Sequence, residues 1–460
     1  MMSHKKKLVI IGAGPCGLGA AWRLHELGID NYQLFEKNDH VGGLSASFVD
    51  KQGFTWDIGG HIQFSHYDYF DRLMETVIPE SGWVPHERES WIWMRGRFIP
   101  YPLQYNIGKL PHQEMLDCLE GLQRCGKESA PNGNFLDWIL HTFGEGIAKH
   151  FLIPYNRKVW AYPPEQLSAE WTGERVAVPD VNRVMENIIH GREDRSWGPN
   201  NAFKFPLLGG TGAIWRALAD RLPEEKIHLS SELAAVDIDS RRLQFRDGRE
   251  EEYDYLISTM PLDQLLRIID GGERDAQARF FYSSTNTIGV GLAGEPPEKL
   301  RTKCWMYFPE DDNPFYRVTV FSNYSPHNAP PGGYWSLMGE ISESPQKKVL
   351  HERLVDTALE GFYNTHLLEK NASVVSLWTH RAEYAYPTPF LGRDTLVDPC
   401  LEALQKKDIY SRGRFGAWKY ECGNMDHAVM QGVEAVDSIV LGTPELTLKS
   451  PSLVNAQRVR

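Results

Sequence analysis

Four successive apolar residues, Leu8-Val9-Ile10-Ile11, read as a buried strand, and the glycine-rich run Gly12-Ala13-Gly14-Pro15-Cys16-Gly17 ends it. Helical spacing follows over residues 18–27, and Tyr32–Phe35 reads as a second strand closing at Glu36. Residues 112–125 and 135–160 carry apolar positions at helical spacing, with Phe135, Trp138, Ile139 and Phe143 on one face. A further helical stretch covers 169–176. From about 225 the period shortens. Strands are expected at 233–239, 243–245 and 253–259, with Asp247-Gly248 as a turn signal. Alternation continues through 283–382: Ile288, Val290 and Leu292 in one run, Arg317, Thr319 and Phe321 against Val318 and Val320 in another, Trp335, Leu337 and Ile341 in a third. This predicts a mostly antiparallel sheet with one wet face. Residues 426–441 read as a last helix.

Composition narrows the class. The chain has 460 residues, 42% apolar and 24% charged, which is ordinary for a soluble protein with a sizeable core. A net charge of −12 lacks the basic field that nucleic-acid binding needs, though a few local arginines suffice for one diphosphate. Aromatics are 12%, with 14 Trp and 19 Tyr; they serve either as packing or as stacking surfaces for a planar ligand. The six cysteines form no CxxC pair, so zinc and a disulfide framework are not expected, and scattered reduced thiols suit a cytoplasmic protein. No metal site, signal segment or membrane helix is expected from the pattern.

The first 36 residues hold the clearest chemistry. A strand precedes the GxGxxG run, a helix follows, and an acid ends the next strand. Gly12 makes the tight turn, Gly14 lets the backbone approach a pyrophosphate, and Gly17 lets helix and strand pack. The helix N-terminus offers N–H groups to phosphate, and Glu36 can accept from a ribose. The motif alone does not separate NAD from FAD. Val41-Gly42-Gly43-Leu44, Gly209-Gly210-Thr211-Gly212 after Phe205-Pro206, and Gly413-Arg414-Phe415-Gly416 before Gly423-Asn424-Met425-Asp426 favour FAD held in an oxidase-like fold. The fold class is thus α/β, with interleaved units: 1–85, 203–262 and 405–450 as a discontinuous FAD-binding Rossmann-like domain, 104–200 as a helical substrate-binding domain, 86–103 and 263–404 as an antiparallel β-sheet domain, and 451–460 as a short tail.

Several runs carry a family resemblance: Gly59-Gly60-His61-Ile62-Gln63-Phe64-Ser65-His66, Pro154-Tyr155-Asn156-Arg157-Lys158-Val159-Trp160, Trp171-Thr172-Gly173-Glu174-Arg175, Asn313-Pro314-Phe315-Tyr316-Arg317, Tyr384-Ala385-Tyr386-Pro387-Thr388-Pro389 and Ser411-Arg412-Gly413-Arg414-Phe415-Gly416. Together they resemble the UDP-galactopyranose mutases, in their fungal and protozoan branch, over most of the chain. The resemblance implies a redox-neutral isomerase that interconverts UDP-galactopyranose and UDP-galactofuranose. FAD is reduced, with NADPH as reductant. The flavin N5 attacks the anomeric carbon, a sugar–flavin adduct opens to an iminium and recloses, and UDP returns. A flavin oxidase or desaturase of the amine-oxidase type, or a mutase of another nucleotide sugar, are the competing readings.

The same resemblance assigns roles. Arg175 and Arg317 form a diphosphate clamp, and His61, after Gly60, lies against the flavin. Gly12, Gly14, Gly17, Glu36, Gly42, Gly43, Gly416, Asn424 and Met425 complete the cofactor site. Tyr101, Gln104, Tyr155, Asn156 and Trp160 form the uridine pocket. Tyr307, Tyr386 and Tyr420 approach the phosphates, and Trp305 and Asn200 reach the sugar. Arg88, Ser90 and Arg414 contact NADPH. Flaps are implied near 172–180 and 196–202. Members of the family carry Phe where this chain has Leu103, which removes a stacking ring there. The segment between Pro326 and Tyr334 and the C-terminal tail are both short, leaving the oligomeric state open.

Overall fold

The first strand, Leu8–Ile11, is the centre of a five-stranded parallel sheet in the order Ile409–Ser411, Tyr255–Ser258, Leu8–Ile11, Tyr32–Phe35, Ile227–His228. The computed structural model describes residues 6–125, 133–195, 201–269 and 279–456. All four residues of the central strand are buried, as a parallel strand covered on both faces requires. On one face the helix Pro15–Glu26 packs against the last long helix, Met425–Leu441. Leu18, Ala20, Ala21 and Leu24 meet Val429, Val433 and Val436 in one apolar cluster. Their backbones come close because small residues line the crossing. A Cβ on Gly432 would lie 2.1 Å from the Cys16 carbonyl oxygen.

The alternating middle of the chain forms a seven-stranded sheet in the order Val374–Pro387, Tyr282–Ala293, Tyr334–Glu343, Arg317–Val320, Trp305–Tyr307, Ser90–Met94, Arg97–Pro100. It is antiparallel except where Trp305–Tyr307 runs parallel to Ser90–Met94. Ile288, Val290, Val318, Val320, Leu337 and Ile341 share a core with Phe362 of the helix Leu354–Asn364. The opposite face was expected to be wet. It is polar but buried: Thr287, Thr319 and Ser336 are 0% exposed and Glu340 is 1% exposed. Part of that face is roofed by a hairpin, Ser47–Val49 and Thr55–Asp57, whose Phe54 and Trp56 lie on Gly291 and Gly289.

The helical segment differs from the expected continuous 135–160 helix. Phe135–Ile147 breaks direction at Gly144 (φ +72°), a widened turn spans Ala148–Leu152, and Ile153–Trp160 resumes the helix. The break follows from packing on His112–Arg124, since a Cβ on Gly146 would lie 2.2 Å from the Asp117 carbonyl oxygen. No helix forms over 169–176, where only the single turn Gly173–Arg175 occurs. The helix falls instead at Val181–Ile189, where the Asp180 carboxylate caps the N–H groups of Asn182 and Arg183. Residues 451–460, expected as a tail, include the helix Pro451–Ala456, with Val454 buried and Asn455 bonded to His427 and to the Glu421 carbonyl.

All six cysteines are free, and no described helix is long and apolar enough to cross a membrane. The close helix crossing yields a first prediction. Gly432→Ala is expected to destabilise the protein by about 1–3 kcal/mol through overpacking against backbone, seen as an earlier urea midpoint. A midpoint equal to that of the natural chain would refute the close approach.

Candidate active site

The phosphate cradle is built locally. Gly12 has φ +101°, a conformation side chains rarely adopt, and its N–H donates to the Phe35 carbonyl at 2.7 Å. A Cβ on Gly17 would lie 1.8 Å from the Gly12 oxygen, so the helix can begin where it does only with glycine there. Gly14 caps this helix without a side-chain bond, which leaves first-turn N–H groups for a ligand. Gly42 donates to the Ala13 carbonyl at 2.8 Å, and Gly43 packs against Gly14. Glu36 is buried, and its carboxylate already accepts from the Ala13 N–H and from Asn38. Glu36 therefore shapes the turn.

Gly209-Gly210-Thr211-Gly212 does something else. Thr211 Oγ1 donates to the Asp57 carboxylate at 2.6 Å, and Ser47 Oγ bonds its other oxygen. Burial pushes the Asp57 carboxyl up to about 6 against these bonds. This run pins the Ser47–Val49 and Thr55–Asp57 hairpin to the start of the helix Gly212–Ala219.

The far end of the cradle meets the His61 loop and the helix Met425–Leu441. Asn424 caps that helix with its backbone, and its side-chain oxygen is free to accept Arg175 Nη1 at 3.3 Å. Gly416 lies where a Cβ would be 2.2 Å from the Arg412 oxygen. The buried Asp426 carboxylate accepts from His66 twice, through its backbone N–H at 3.0 Å and ring Nδ1 at 2.7 Å. The loop is thus tied to the helix N-terminus. Burial, and then Arg317 and Arg414, hold the His61 imidazole down at about 4, against 6.5 for a free histidine. His61 Nδ1 is buried without a partner.

Three guanidiniums converge here. Arg175 Nη2 donates to the Glu421 carbonyl at 3.0 Å and its guanidinium lies 4.9 Å from the Tyr420 ring. Arg414 bonds two carbonyls, Ala385 at 3.0 Å and Gly423 at 2.9 Å, and stands over the rings of Tyr386 and Tyr420. Burial, and the nearby Arg175, lower its pKa, although an arginine stays charged. Arg317 differs: Nε and Nη2 reach Glu340 at 2.6 and 2.8 Å. Tyr316 donates to the same carboxylate at 2.6 Å and its ring faces Tyr386. Arg414, expected among the NADPH contacts, therefore shares its surroundings with the expected diphosphate arginine Arg175.

Of the expected uridine residues, Tyr101 and Tyr155 meet through Tyr307. Tyr155 stacks on Phe151 with ring centroids 5.2 Å apart and edges onto Tyr307, which in turn meets Tyr101. Trp305 Nε1 donates to the Tyr307 hydroxyl at 2.6 Å. Trp160 contacts Trp171, Tyr386 and Tyr420, joining this wall to the arginines. Gln104 spends its amino group on the Ala177 carbonyl, while its Oε1 is buried and unpartnered. Asn156 donates back to Leu152 in its own helix. Arg88 lies over the Tyr101 ring, and Ser90 Oγ is buried without a bond. Asn200 falls outside the described residues. Phe151, Trp171, Tyr316 and Glu340 were not singled out from the sequence as site residues. Spacing could have flagged Phe151, one turn before Tyr155; Glu340 is revealed only by strand register.

The residues suit a flavin dinucleotide. A cradle that a side chain would fill lies at one end. Unpartnered buried atoms cluster at the other: His61 Nδ1, Arg175 Nε, Thr287 Oγ1 and Thr319 Oγ1.

Comparison with known proteins agrees. A crystal structure of a reduced UDP-galactopyranose mutase superposes with a TM-score of 0.96 and 49% identity, covering 100% of this chain and 98% of that one. A zeta-carotene desaturase of Zea mays is 40% identical over 83 residues, so this chain spans only 14% of that relative's length and 18% of its own is matched. A mitochondrial protoporphyrinogen oxidase of Nicotiana tabacum is 23% identical over 300 residues, 56% of this chain and 59% of the oxidase. The family model described as flavin containing amine oxidoreductase matches residues 15–440, from the cradle helix nearly to the end of the helix that faces the His61 loop. With that span and that cradle, the chain belongs to the flavin containing amine oxidoreductase family.

Proposed function

We propose that this protein is a redox-neutral isomerase that interconverts UDP-galactopyranose and UDP-galactofuranose with reduced FAD. The observation that carries the reading is the convergence of Arg175, Arg317 and Arg414 on one tyrosine-lined site beside the flavin cradle. An apolar amine or a carotenoid has no use for such charge, whereas a nucleoside diphosphate does. Whole-chain similarity to a mutase supports the same reading.

Reduced flavin, when bound, supplies a nucleophilic nitrogen at the sugar's anomeric carbon. The chain's residues do the rest. Arg175 and Arg317 take up the charge that grows on departing UDP and keep it in place for return. Burial raises the pKa of the Tyr386 hydroxyl, so it stays protonated and able to donate to a phosphate oxygen. Tyr101, Gln104, Tyr155, Asn156 and Trp160 hold the base. The 172–180 segment closes over the site and excludes water. His61 faces the flavin as a neutral imidazole. NADPH is the reductant, held by Arg88, Ser90 and Arg414, and the enzyme works in the cytoplasm.

The reading is tested by turnover. Holoprotein given catalytic dithionite without oxygen is expected to convert UDP-galactofuranose over many cycles per reducing equivalent. Product formed only in proportion to an oxidant consumed would identify an oxidase or desaturase instead. Arg175→Ala or Arg317→Ala should each lower kcat/KM by about 10²–10³-fold, the effect of one lost charge-stabilising group, with FAD still bound by its visible absorbance. Loss of FAD would assign these residues to folding.

The His61 environment gives a pH prediction. Between 6.5 and about 4 the unfolded chain takes up a proton on this residue that the folded chain refuses. Stability therefore falls as pH falls through that window. His61→Asn should flatten the decline in Tm between pH 6.5 and 4; an unchanged profile would mean the imidazole is not held neutral.

A further inference from the structure

Arg317 and Glu340 face each other in antiparallel register on neighbouring strands. Glu340 is almost wholly buried, and four donors fill its two oxygens: Arg317 Nε and Nη2, the Tyr316 hydroxyl, and the Gly60 backbone N–H at 3.2 Å. Arg317 Nε and the Gly60 N–H share the same oxygen, Oε1. The loop before His61 lies directly on this ion pair. A Cβ on Gly59 would be 3.3 Å from Glu340 Oε2, and one on Gly60 would be 3.5 Å from Arg317 Cζ. Gly59 itself has φ +132°, so glycine is required where the loop passes the carboxylate.

Two consequences follow. Arg317 is neutralised before any ligand arrives, whereas Arg175 and Arg414 meet no carboxylate among the described residues, so a diphosphate must compete with Glu340 for Arg317. The oxygen that holds Arg317 also holds the backbone next to His61, so a pull on one is felt at the other. We propose that Glu340 is a positioning residue that links anion binding at Arg317 to the placement of the Gly59–His61 loop against the flavin. This deepens the nucleotide-sugar reading and rests on it. It assigns no bond-making step to Glu340. Such coupling is reciprocal: whatever draws Arg317 toward a diphosphate loosens its claim on Oε1 and changes how firmly Gly60 is held.

The test is titration of oxidised FAD holoprotein with UDP, alongside kcat of the reduced enzyme. Glu340→Gln removes the competing charge and turns an amide NH2 toward either Arg317 Nη2 and Tyr316 or Arg317 Nε and Gly60, so the four donors can no longer all be held. UDP is expected to bind about 5- to 50-fold tighter, the range of an ordinary coupling between two sites, while kcat falls on the order of 10- to 100-fold as the loop loses its hold. Glu340→Asp keeps the charge but is one methylene shorter and cannot span Arg317 and Gly60, so UDP affinity should stay near the natural value while kcat falls. Unchanged or weaker UDP binding in Glu340→Gln, with FAD content and Tm retained, would reduce the pair to a structural ion bridge and overturn the proposal. Should that variant not fold, Glu340→Asp decides alone: unchanged kcat overturns the link, and lowered kcat with natural UDP affinity supports it. Failure of the natural chain to bind UDP would strike the diphosphate reading itself, and this proposal with it, a signature distinct from a missing shift between variants.

Discussion

Arg175, Arg317 and Arg414 bring three guanidiniums to one site, and among the described residues Glu340 is the one carboxylate bonded to any of them. Cations drawn partly out of water need a counter-charge. Here two of the three rest on carbonyl oxygens and aromatic faces, which soften the cost without cancelling the charge. The site is therefore built for an anion. Each arginine comes from a different part of the chain: a single turn of the helical segment, a strand of the seven-stranded sheet, and the glycine-rich lead-in to the last long helix. The fold has to bring those parts together for the site to exist.

The flavin side follows a complementary logic. Helix N-termini point partial positive charge at both ends of the site, the Pro15–Glu26 helix at the glycine cradle and the Met425–Leu441 helix at the loop that holds His66. His61 between the arginines stays uncharged because another cation there would be repelled and desolvated at once. The buried Asp426 accepts two bonds from His66 behind this wall, so the loop is held from two sides, by Asp426 at His66 and by Glu340 at Gly60.

What the chain disclosed in advance depended on distance along it. The cradle was legible because its glycines, its helix cap and Glu36 fall within one strand–helix–strand unit, and each has a local physical reason. The aromatic wall was legible as a set of residue types in recognisable runs. Glu340 was not, since its role comes from standing opposite Arg317 in a register that no local pattern encodes. Alternation around Arg317 and Thr319 suggested a solvent face, yet a hairpin and the His61 loop cover it, and the polar residues serve the site. The helix expected at 169–176 lost to Gly173 and to the Asp180 cap further on, and the long 135–160 helix lost to close backbone contact at Gly144 and Gly146. Gly209–Gly212 had the composition of a cofactor loop, but its neighbours are Asp57 and Ser47.

The charge surplus is the claim on which the account stands, and it is measured most directly by comparing UDP with uridine as ligands of the FAD holoprotein at moderate salt. If the arginines supply the affinity, uridine should bind weaker by on the order of 100-fold or more, the worth of close charge pairs at a desolvated interface, and added salt should narrow the gap. Equal affinities for the two, insensitive to salt, would contradict it.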